Sequence, residues 1–416
     1  MGYKFRYVDD ELEGRLKRSG AVLVRGPKGC GKTETARHFA KSETVIDASP
    51  NTKNIMALDP KLLLAGATPH LLDEWQEQPD LWNYVRHEVD NRRQKGQFIL
   101  TGSATPTDEV KLHSGVGRFS VLQMRPMSLF ESGKSSGEVS LRALLAGEKT
   151  GSTFHEANIT QIVDNLIRGG WPGIQDLDIE DARLSLLDML ELITEVDISR
   201  VSNMKRDPIK VRRLMSSIAR NIANEVKIET IATDAGLDDT PLAYDTVRDY
   251  IDALERLMII EDLPAWNTHI RSSATLRKGR KRHFVDPSVA IAALGINGAR
   301  LQQDFEYLGF VFESLAIRDL RIYAQTMGAK LFHYRDSSGR EVDAILEMPD
   351  GSWAAFEIKL GFGAAEDGIQ SLLKFLENVN TKRVGKPKAM AVITGSGFAS
   401  RHESGVCVVP LATLCA

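Results

Sequence analysis

The chain has few cysteines and aromatic residues for its length, and its charges nearly balance. Its 416 residues include three cysteines, 7% aromatic residues and a formal net charge of −3. Three cysteines far apart argue against a disulfide framework or a zinc site and favour a reducing compartment. The balanced charge argues against a uniformly cationic surface, so a nucleic-acid partner would need a local basic patch.

Long apolar segments are also missing. No run approaches the roughly 20 residues that a membrane-spanning helix needs. The first seven residues include Lys4 and Arg6, where a signal peptide needs an apolar core. We therefore expect a cytoplasmic protein with no membrane partner. The 42% hydrophobic and 26% charged residues are typical of globular proteins, and the length predicts about two to four domains.

A glycine-rich segment follows the apolar run Ala21–Val24. It reads Gly26-Pro27-Lys28-Gly29-Cys30-Gly31-Lys32-Thr33. A strand before it and a helix after it are typical of a phosphate-binding loop, in which backbone N–H groups and the helix N-terminus face a phosphate. These eight residues are the predicted nucleotide-binding set. Lys32 is expected to reach the β- and γ-phosphates of ATP, and Thr33 to bind Mg²⁺.

Two acids end the next predicted buried strand. Asp73 is expected beside the Mg²⁺ ion, and Glu74 is expected to orient and deprotonate the attacking water. The alternative is that both residues cap the following helix. A further strand ends in Thr101 and Ser103. Either of these hydroxyls could sense the γ-phosphate, or both only shape a turn.

These segments resemble the AAA-type ATPase domain, of the AAA_14 kind, in bacterial and archaeal ATPases that carry a C-terminal domain of unknown function, DUF4143. The resemblance rests on Asp73–Gln76, Phe98–Ser103, His113–Arg118 and Met124–Glu131, and extends over essentially the whole chain. It implies an α/β fold with a P-loop ATPase core at residues 1–150. ATP and Mg²⁺ are the implied cofactors.

The resemblance also implies an arginine finger. Arg118 occupies the position of the arginine in the Gly-Arg pair of the relatives. A finger supplied by a neighbouring subunit requires a ring or at least a dimer, because its guanidinium must meet the γ-phosphate at another chain's loop. We therefore expect a homo-oligomer, for example a hexameric ring. Arg125 competes for this role, and either arginine could instead form a surface salt bridge.

Helical patterns dominate the middle of the chain. Residues 151–206 are predicted to form a helical lid, in which the glycines near Trp171 mark a hinge or an ordinary turn. Residues 207–296 are predicted to form a winged helix with a basic wing. The predicted DNA-binding residues are Arg271, Arg277, Lys278, Arg280, Lys281 and Arg282. They could neutralise several phosphates, or they lie on a solvated hairpin of a module that only packs.

Residues 297–416 contain two strand-like runs on either side of a turn at Asp350. Asp343 lies seven residues before this turn and Glu357 seven residues after it. A hairpin would therefore place the two carboxylates opposite each other on one face. Lys359 follows Glu357 by two residues and shares that face.

Two carboxylates and a lysine in this arrangement can hold a divalent ion and activate water for phosphodiester attack. The acid and the Glu-x-Lys pair resemble the core of PD-(D/E)xK nucleases, although Val342 stands where the motif's name puts proline. Glu313, on a predicted helix upstream, is a further candidate metal ligand beside Asp343 and Glu357. The alternative is a cross-strand ion network.

Together these features predict an oligomeric, ATP-hydrolysing protein that binds DNA and remodels it or translocates on it, with a nuclease-like domain that could cut it. The alternative is a nucleotide-dependent switch, whose winged-helix and nuclease-like domains bind DNA or a partner protein without cleavage. ATP turnover in the presence of DNA distinguishes these two functions.

Overall fold

A computed structural model describes residues 2–46, 51–102, 115–148, 154–155, 158–201, 205–237, 240–267, 279–336 and 339–416. Four predicted site residues therefore lie outside the described residues: Ser103, Arg271, Arg277 and Lys278. Within the described ranges, no helix is both long enough and apolar enough to cross a membrane.

The first part of the chain forms a parallel sheet with helices around it. Its strands are β1 (Ala21–Arg25), β2 (Ser42–Val45), β3 (His70–Asp73), β4 (Phe98–Gly102) and β5 (Phe119–Gln123). Its helices are α1 (Val8–Arg18), α2 (Lys32–Phe39), α3 (Thr52–Leu58) and α4 (Leu81–Arg92). The strand order is β2-β3-β4-β1-β5, and each pairing is parallel.

Strands β3 and β4 are buried along their whole length, as parallel strands covered on both faces usually are. Parallel strands end at the same edge of a sheet, so the loop after β1 and the last residue of β3 meet at that edge. The predicted α/β fold is confirmed. Two short strands and one helix follow β5: β6 (Val139–Ser140), α5 (Leu141–Leu145) and β7 (Phe154–His155).

The middle of the chain is helical. It contains α6 (Ile159–Arg168), α7 (Ile179–Leu192), α8 (Ile198–Arg200), α9 (Pro208–Arg220), α10 (Ile228–Asp234), α11 (Tyr244–Arg256), α12 (Pro287–Leu294) and α13 (Gly298–Gln302). A π-helical turn, Ile193–Asp197, joins α7 to α8. After α11, single antiparallel bridges pair Ile260 with Phe284 and Leu263 with Lys281. Helix α12 packs against α6, α7 and α9, so the predicted lid and the predicted winged helix share one core.

The last part of the chain is built on a mixed sheet. It contains α14 (Phe305–Thr326), β8 (Lys330–Arg335), β9 (Glu341–Glu347), β10 (Trp353–Lys359), α15 (Ala365–Asn378), α16 (Thr381–Val384), β11 (Ala389–Thr394), β12 (Gly397–Phe398), β13 (Ser400–Arg401), β14 (Cys407–Pro410) and β15 (Leu414–Cys415). The strand order is β13-β14-β11-β10-β9-β8. Side chains alternate along β9 and β10, so one face packs on α14 and the other on α15.

Backbone pairing joins the last part of the chain to the segment that follows the first sheet. Strand β15 pairs in parallel with β6, with Leu414 opposite Val139 and Cys415 opposite Ser140. Strand β12 pairs with β7 in the antiparallel direction. One continuous hydrophobic core contains residues from the first sheet, the helical middle and α14. The parts of the chain are therefore packed as one body.

Candidate nucleotide site and C-terminal acidic centre

The glycine-rich loop connects β1 to α2, and its glycines are required by geometry. Gly29 and Gly31 have φ angles of 77° and 100°, which L side chains rarely adopt. A Cβ atom at Gly26 would lie 2.3 Å from the backbone oxygen of Met124. The Cys30 side chain is fully buried. A larger residue at any of these glycines would distort the loop.

The loop lysine and threonine lie next to the end of β3. The Lys32 side chain is buried, and its Nζ donates hydrogen bonds of 2.9 Å to the backbone oxygens of Gly26 and Pro27. Thr33 Oγ1 donates to Asp73 Oδ1 at 2.9 Å. The structure therefore brings together the residues predicted to bind phosphate and Mg²⁺.

Asp73 and Glu74 have different surroundings although they are adjacent. Asp73 accepts a second hydrogen bond, from the hydroxyl of Thr101. Glu74 has a φ of 54°, in the left-handed region that is unusual for a side chain other than glycine. It makes no capping hydrogen bond to the turn Trp75–Glu77 that it precedes, and α4 begins with Asp80 at its N-cap. The alternative that the two acids cap the following helix is therefore wrong.

A cavity of about 490 Å³ lies over the loop. The residues that line it and carry the argument are Tyr3, Lys28, Lys32, Thr33, Glu74 and Pro172. Tyr3 stacks on His38 with 4.4 Å between ring centroids, and its hydroxyl donates to Asp9 Oδ1 at 2.6 Å. Sequence reasoning missed Tyr3, because no motif marks a residue so far upstream of the loop.

Arg6 supports the loop and was also missed. Its Nη1 donates to the backbone oxygen of Cys30 at 2.9 Å, and its Nη2 donates to that of Arg125 at 2.7 Å. Its Nε pairs with Glu131 at 3.1 Å, and both side chains are buried. A buried arginine with three partners fixes the loop against the segment that follows β5.

The glycines near Trp171 pack beside the loop. A Cβ atom at Gly29 would lie 3.7 Å from the Trp171 ring. The backbone oxygen of Gly170 accepts from the Met127 N–H at 2.6 Å, and the Gly170 N–H donates to Asp286 Oδ2 at 2.9 Å. The segment thus connects the loop to the N-terminus of α12. A second connection joins Lys28 Nζ to Asp197 Oδ1, at 2.6 Å.

The two candidate arginine fingers, Arg118 and Arg125, are paired with other residues of the same chain in this structure. Arg118 pairs with Asp90 on the surface of α4, at 2.9 Å and 3.2 Å, and does not line the cavity of its own chain. Arg125 binds Glu261 through two hydrogen bonds of 2.8 Å and 2.5 Å. It also donates to Gln325 at 2.5 Å. These contacts make Arg125 a link between the first sheet, the middle and α14, which contradicts a finger role for it.

The described basic residues of the predicted wing do not share one surface. Arg280 is exposed, whereas Lys281 is 5% exposed and Arg282 pairs with Asp262. Antiparallel pairing of Lys281 with Leu263 turns alternate side chains to opposite sides. The prediction that Lys281 and Arg282 bind the nucleic-acid backbone is therefore wrong, because both cations are already paired inside the protein.

Lys281 instead reaches the predicted nuclease-like site. Its Nζ lies 2.8 Å from Glu313 Oε1 and 3.4 Å from Asp343 Oδ1. We call Glu313, Asp343 and Glu357 the acidic centre. All three residues are buried, with exposures of 8%, 9% and 3%.

Both oxygens of Glu357 and the second oxygen of Asp343 also have partners. Lys359 Nζ lies 2.8 Å from Glu357 Oε2, and Ser371 Oγ donates to Glu357 Oε1 at 3.1 Å. Asp343 Oδ2 accepts from the backbone N–H of Ile358 at 2.9 Å. The β9–β10 pairing runs to Phe356 opposite Ala344, so Glu357 and Asp343 are next to each other as the hairpin pattern predicts.

Three carboxylates here share two ammonium groups. Burial, followed by the charge of Asp343, raises the pKa of Glu313 to about 8 and that of Glu357 to about 7. Burial acts to lower the pKa of Lys281 and Lys359, but the carboxylates outweigh it and raise both. Both lysines therefore stay charged at neutral pH, whereas burial and the charge of Asp343 favour the protonated forms of Glu313 and Glu357.

This arrangement does not fit the metal ion that a nuclease resemblance implies. In the part of the chain that the structure describes, no group of three or more His, Cys, Asp or Glu side chains is arranged to hold a metal. The acids at this site bind lysines, a hydroxyl and a backbone N–H instead. The geometry is that of the cross-strand ion network, which sequence reasoning had kept as the alternative.

Comparison with known families divides the chain into three matched regions. An AAA domain, AAA_14, matches residues 18–132, and the domain of unknown function DUF4143 matches residues 308–414. A further domain of unknown function, DUF8612, matches residues 159–300. It spans both the predicted lid and the predicted winged helix.

Two curated mycobacterial relatives, each named only as an uncharacterized protein, match most of the chain. The proteins Rv2008c of Mycobacterium tuberculosis and Mb2031c of Mycobacterium bovis are each 25% identical over 353 residues, which cover 84% of this chain and 72% of the relative. Among solved structures, the Walker-type ATPase PABY2304 of Pyrococcus abyssi matches with a TM-score of 0.40 and 13% identity, over 68% of this chain and 94% of that chain.

Proposed function

Because residues 18–132 match an AAA domain and residues 308–414 match DUF4143, we propose that the chain binds ATP with Mg²⁺ in the cavity over the glycine-rich loop and hydrolyses it there. The observation that carries this proposal is the hydrogen bond between Thr33 Oγ1 and Asp73 Oδ1, at 2.9 Å, beside the buried Lys32. It joins the loop to the strand end that must supply the acids.

Each residue has a distinct role in this proposal. When ATP binds, the Lys32 ammonium would exchange its hydrogen bonds to the backbone oxygens of Gly26 and Pro27 for hydrogen bonds to phosphate oxygens. Thr33 and Asp73 offer the oxygen ligands that Mg²⁺ prefers, and bound Mg²⁺ would neutralise charge on the β- and γ-phosphates. Glu74 lines the same cavity. It would orient the attacking water and take its proton.

Arg118 is proposed to act in a neighbouring subunit. Its side chain is 41% exposed and lies outside the cavity of its own chain, and its guanidinium donates to Asp90 and to the backbone oxygen of Val116, both at the surface. A surface pair costs little to break, so the guanidinium is available to another chain's γ-phosphate. This role requires the homo-oligomer that the sequence predicts.

A second candidate function is a nucleotide-dependent switch that binds DNA or a partner protein. The observation that favours it is the packing of the loop at Gly29 beside Trp171, whose neighbour Gly170 donates to Asp286 at the N-terminus of α12. A structural change caused by loss of the γ-phosphate would therefore be transmitted to the helical middle, which contains the predicted DNA-binding residues. A switch needs slow turnover, whereas a motor needs fast turnover that DNA stimulates.

The test compares the wild type with Lys32→Ala and Glu74→Gln. Lys32→Ala should abolish binding of a fluorescent ATP analogue. Glu74→Gln should keep binding and lower hydrolysis by a factor on the order of 10² or more, because only the transition state needs the base. Unchanged turnover in Glu74→Gln would refute the assignment of Glu74.

Adding linear, single-stranded and branched DNA to the same assay separates the two functions. Stimulated hydrolysis supports a motor, and tight ATP binding with slow, unstimulated hydrolysis supports a switch. Glu77→Gln is a matched control, because Glu77 lies on the same short turn as Glu74 and does not line the cavity. It should behave as the wild type.

A further inference from the structure

We propose that Lys281 takes the place of a divalent cation at the acidic centre, so that the C-terminal domain of this chain neither binds a catalytic metal nor cleaves DNA. The proposal concerns a site separate from the nucleotide cavity and does not depend on ATP hydrolysis. It follows from where the Lys281 ammonium lies, what holds it there, and what charge the site already contains.

The Lys281 ammonium fills the space between two acids. Its Nζ contacts Glu313 Oε1 at 2.8 Å and Asp343 Oδ1 at 3.4 Å. A Mg²⁺ or Ca²⁺ ion shared by these carboxylates would lie about 2.0–2.6 Å from the same oxygens. The ion and the ammonium therefore compete for one position. Only one of them can pair with Glu313 and Asp343 at a time.

The lysine is held in this position by backbone bonds. The Lys281 N–H donates to the Leu263 oxygen at 3.0 Å, and the Leu263 N–H donates back to the Lys281 oxygen at 2.9 Å. The side chain is 6% exposed. Lys281 belongs to the helical middle of the chain, whereas the acids lie on α14 and β9. The contact thus joins two parts of the protein through a cation that is covalently attached to one of them.

The remaining charge leaves little attraction for an added cation. Lys359, whose side chain is 30% exposed, pairs with Glu357 at 2.8 Å, so two ammonium groups already face three carboxylates. A divalent ion placed beside them would be repelled by both lysines, and the low polarity of the surroundings strengthens this repulsion. The ion would have to displace the buried Lys281 ammonium from Glu313 and Asp343.

The experiment measures Mn²⁺ binding to the nucleotide-free full chain by electron paramagnetic resonance of free Mn²⁺. The proteins are the wild type, Asp343→Asn, Lys281→Met and the double variant Lys281→Met with Asp343→Asn. Methionine keeps the length and apolar body of lysine and removes its charge. Ions that bind near Asp73 are common to all four proteins and cancel in the comparison.

Lys281→Met should gain one Mn²⁺ site, at least tenfold tighter than any site in the wild type, and the double variant should lose it. The wild type and Asp343→Asn should give the same binding curve. A wild-type site that Asp343→Asn removes would overturn the proposal. Failure of folded Lys281→Met to gain a site would overturn it too.

Lys281→Met leaves two buried carboxylates without their cation, so it could fail to fold. The comparison of wild type with Asp343→Asn decides in that case, since it needs no change at Lys281. DNA cleavage gives the second measurement. The wild type should cut no linear, single-stranded or branched DNA in Mn²⁺, and cutting that disappears in Asp343→Asn would refute the proposal.

Lys330→Met serves as the matched control for the loss of a lysine, because Lys330 is exposed on β8. It should bind no additional Mn²⁺. ATP hydrolysis is measured on the same samples. If Lys281→Met still hydrolyses ATP, its nucleotide site is intact. The Mn²⁺ result at the acidic centre can then be judged independently of the proposed ATPase function.

Discussion

Arg318 and Asp286 form an ion pair of 2.8 Å whose two side chains are 1% and 0% exposed. Asp286 also accepts from the Gly170 N–H, which lies beside the glycine-rich loop. Arg318 also binds Asp319, which accepts from the Leu129 N–H. One buried network therefore connects the ATPase part, the segment beside its loop, α12 and α14.

Replacing Arg318 with methionine should destabilise the protein by about 3–5 kcal/mol, because Asp286 and Asp319 would be left as buried carboxylates without their cation. Urea unfolding at neutral pH measures the loss. Arg300→Met removes an exposed arginine and is the control, with an expected change under about 0.5 kcal/mol. A loss equal to that of the control would mean that the network contributes no stability.

The second prediction concerns the trans role of Arg118. Arg118→Ala subunits and Glu74→Gln subunits should each be weak alone, yet a mixture should recover part of the hydrolysis. A mixed interface can pair an intact cavity from one subunit with an intact arginine from the other. Steady-state ATPase rates across mixing ratios test this. If mixed oligomers form without any recovery, the arginine does not act between subunits.

The Arg125–Glu261 ion pair predicts how the stability of the protein depends on pH in the acid range. Burial alone would raise the pKa of Glu261, but Arg125 and Arg321 outweigh it and lower the pKa to about 2. Because the folded pKa lies below the ordinary value of 4.5, the stabilisation is complete above pH 4.5 and is lost as pH falls toward 2. At neutral pH it amounts to at most about 3 kcal/mol.

Glu261→Gln should therefore be less stable than the wild type at pH 7, and the difference should shrink between pH 4.5 and pH 2. Chemical unfolding at pH 7, 4.5 and 3 measures it. Glu306→Gln, on an exposed residue of α14, should show no such convergence. A difference that does not vary with pH would contradict the depressed pKa.

The basic segment gives a prediction about nucleic acid. Replacing Arg277, Lys278 and Arg280 with alanine should weaken DNA binding for all sequences alike and flatten its salt dependence, because phosphate contacts release counterions. Arg300→Ala is the matched control on another exposed arginine. Fluorescence anisotropy at several salt concentrations makes the measurement. An unchanged salt slope would mean that these residues do not contact DNA.

The nucleotide site could be predicted because its signals are local. Eight consecutive residues and a strand that ends in two acids define the loop, Asp73 and Glu74, and parallel pairing brings them to one sheet edge. The symmetry of Asp343 and Glu357 about Asp350 was likewise readable, since it depends on a hairpin alone.

Contacts across long sequence separations could not be predicted in this way. Lys281 counted as one of six basic residues, but bridging to Leu263 turns it inward to meet Asp343, 62 residues further along. The sequence shows that Lys281 is basic, but it does not show whether its side chain points toward solvent or toward the interior. Arg6 and Tyr3 reach the loop only because the chain folds back beside it, and no spacing in the sequence records that approach.

The pairing of β15 with β6 sets a limit on how this protein can be divided for experiments. The AAA match ends at residue 132, before Val139 and Ser140, whose backbone partners are Leu414 and Cys415. A fragment cut at such a family boundary would expose an unpaired strand edge and part of the shared apolar core, which favours aggregation. Loss of activity in a truncated fragment would then report misfolding, so roles of the individual parts are better assigned by point substitutions in the intact chain.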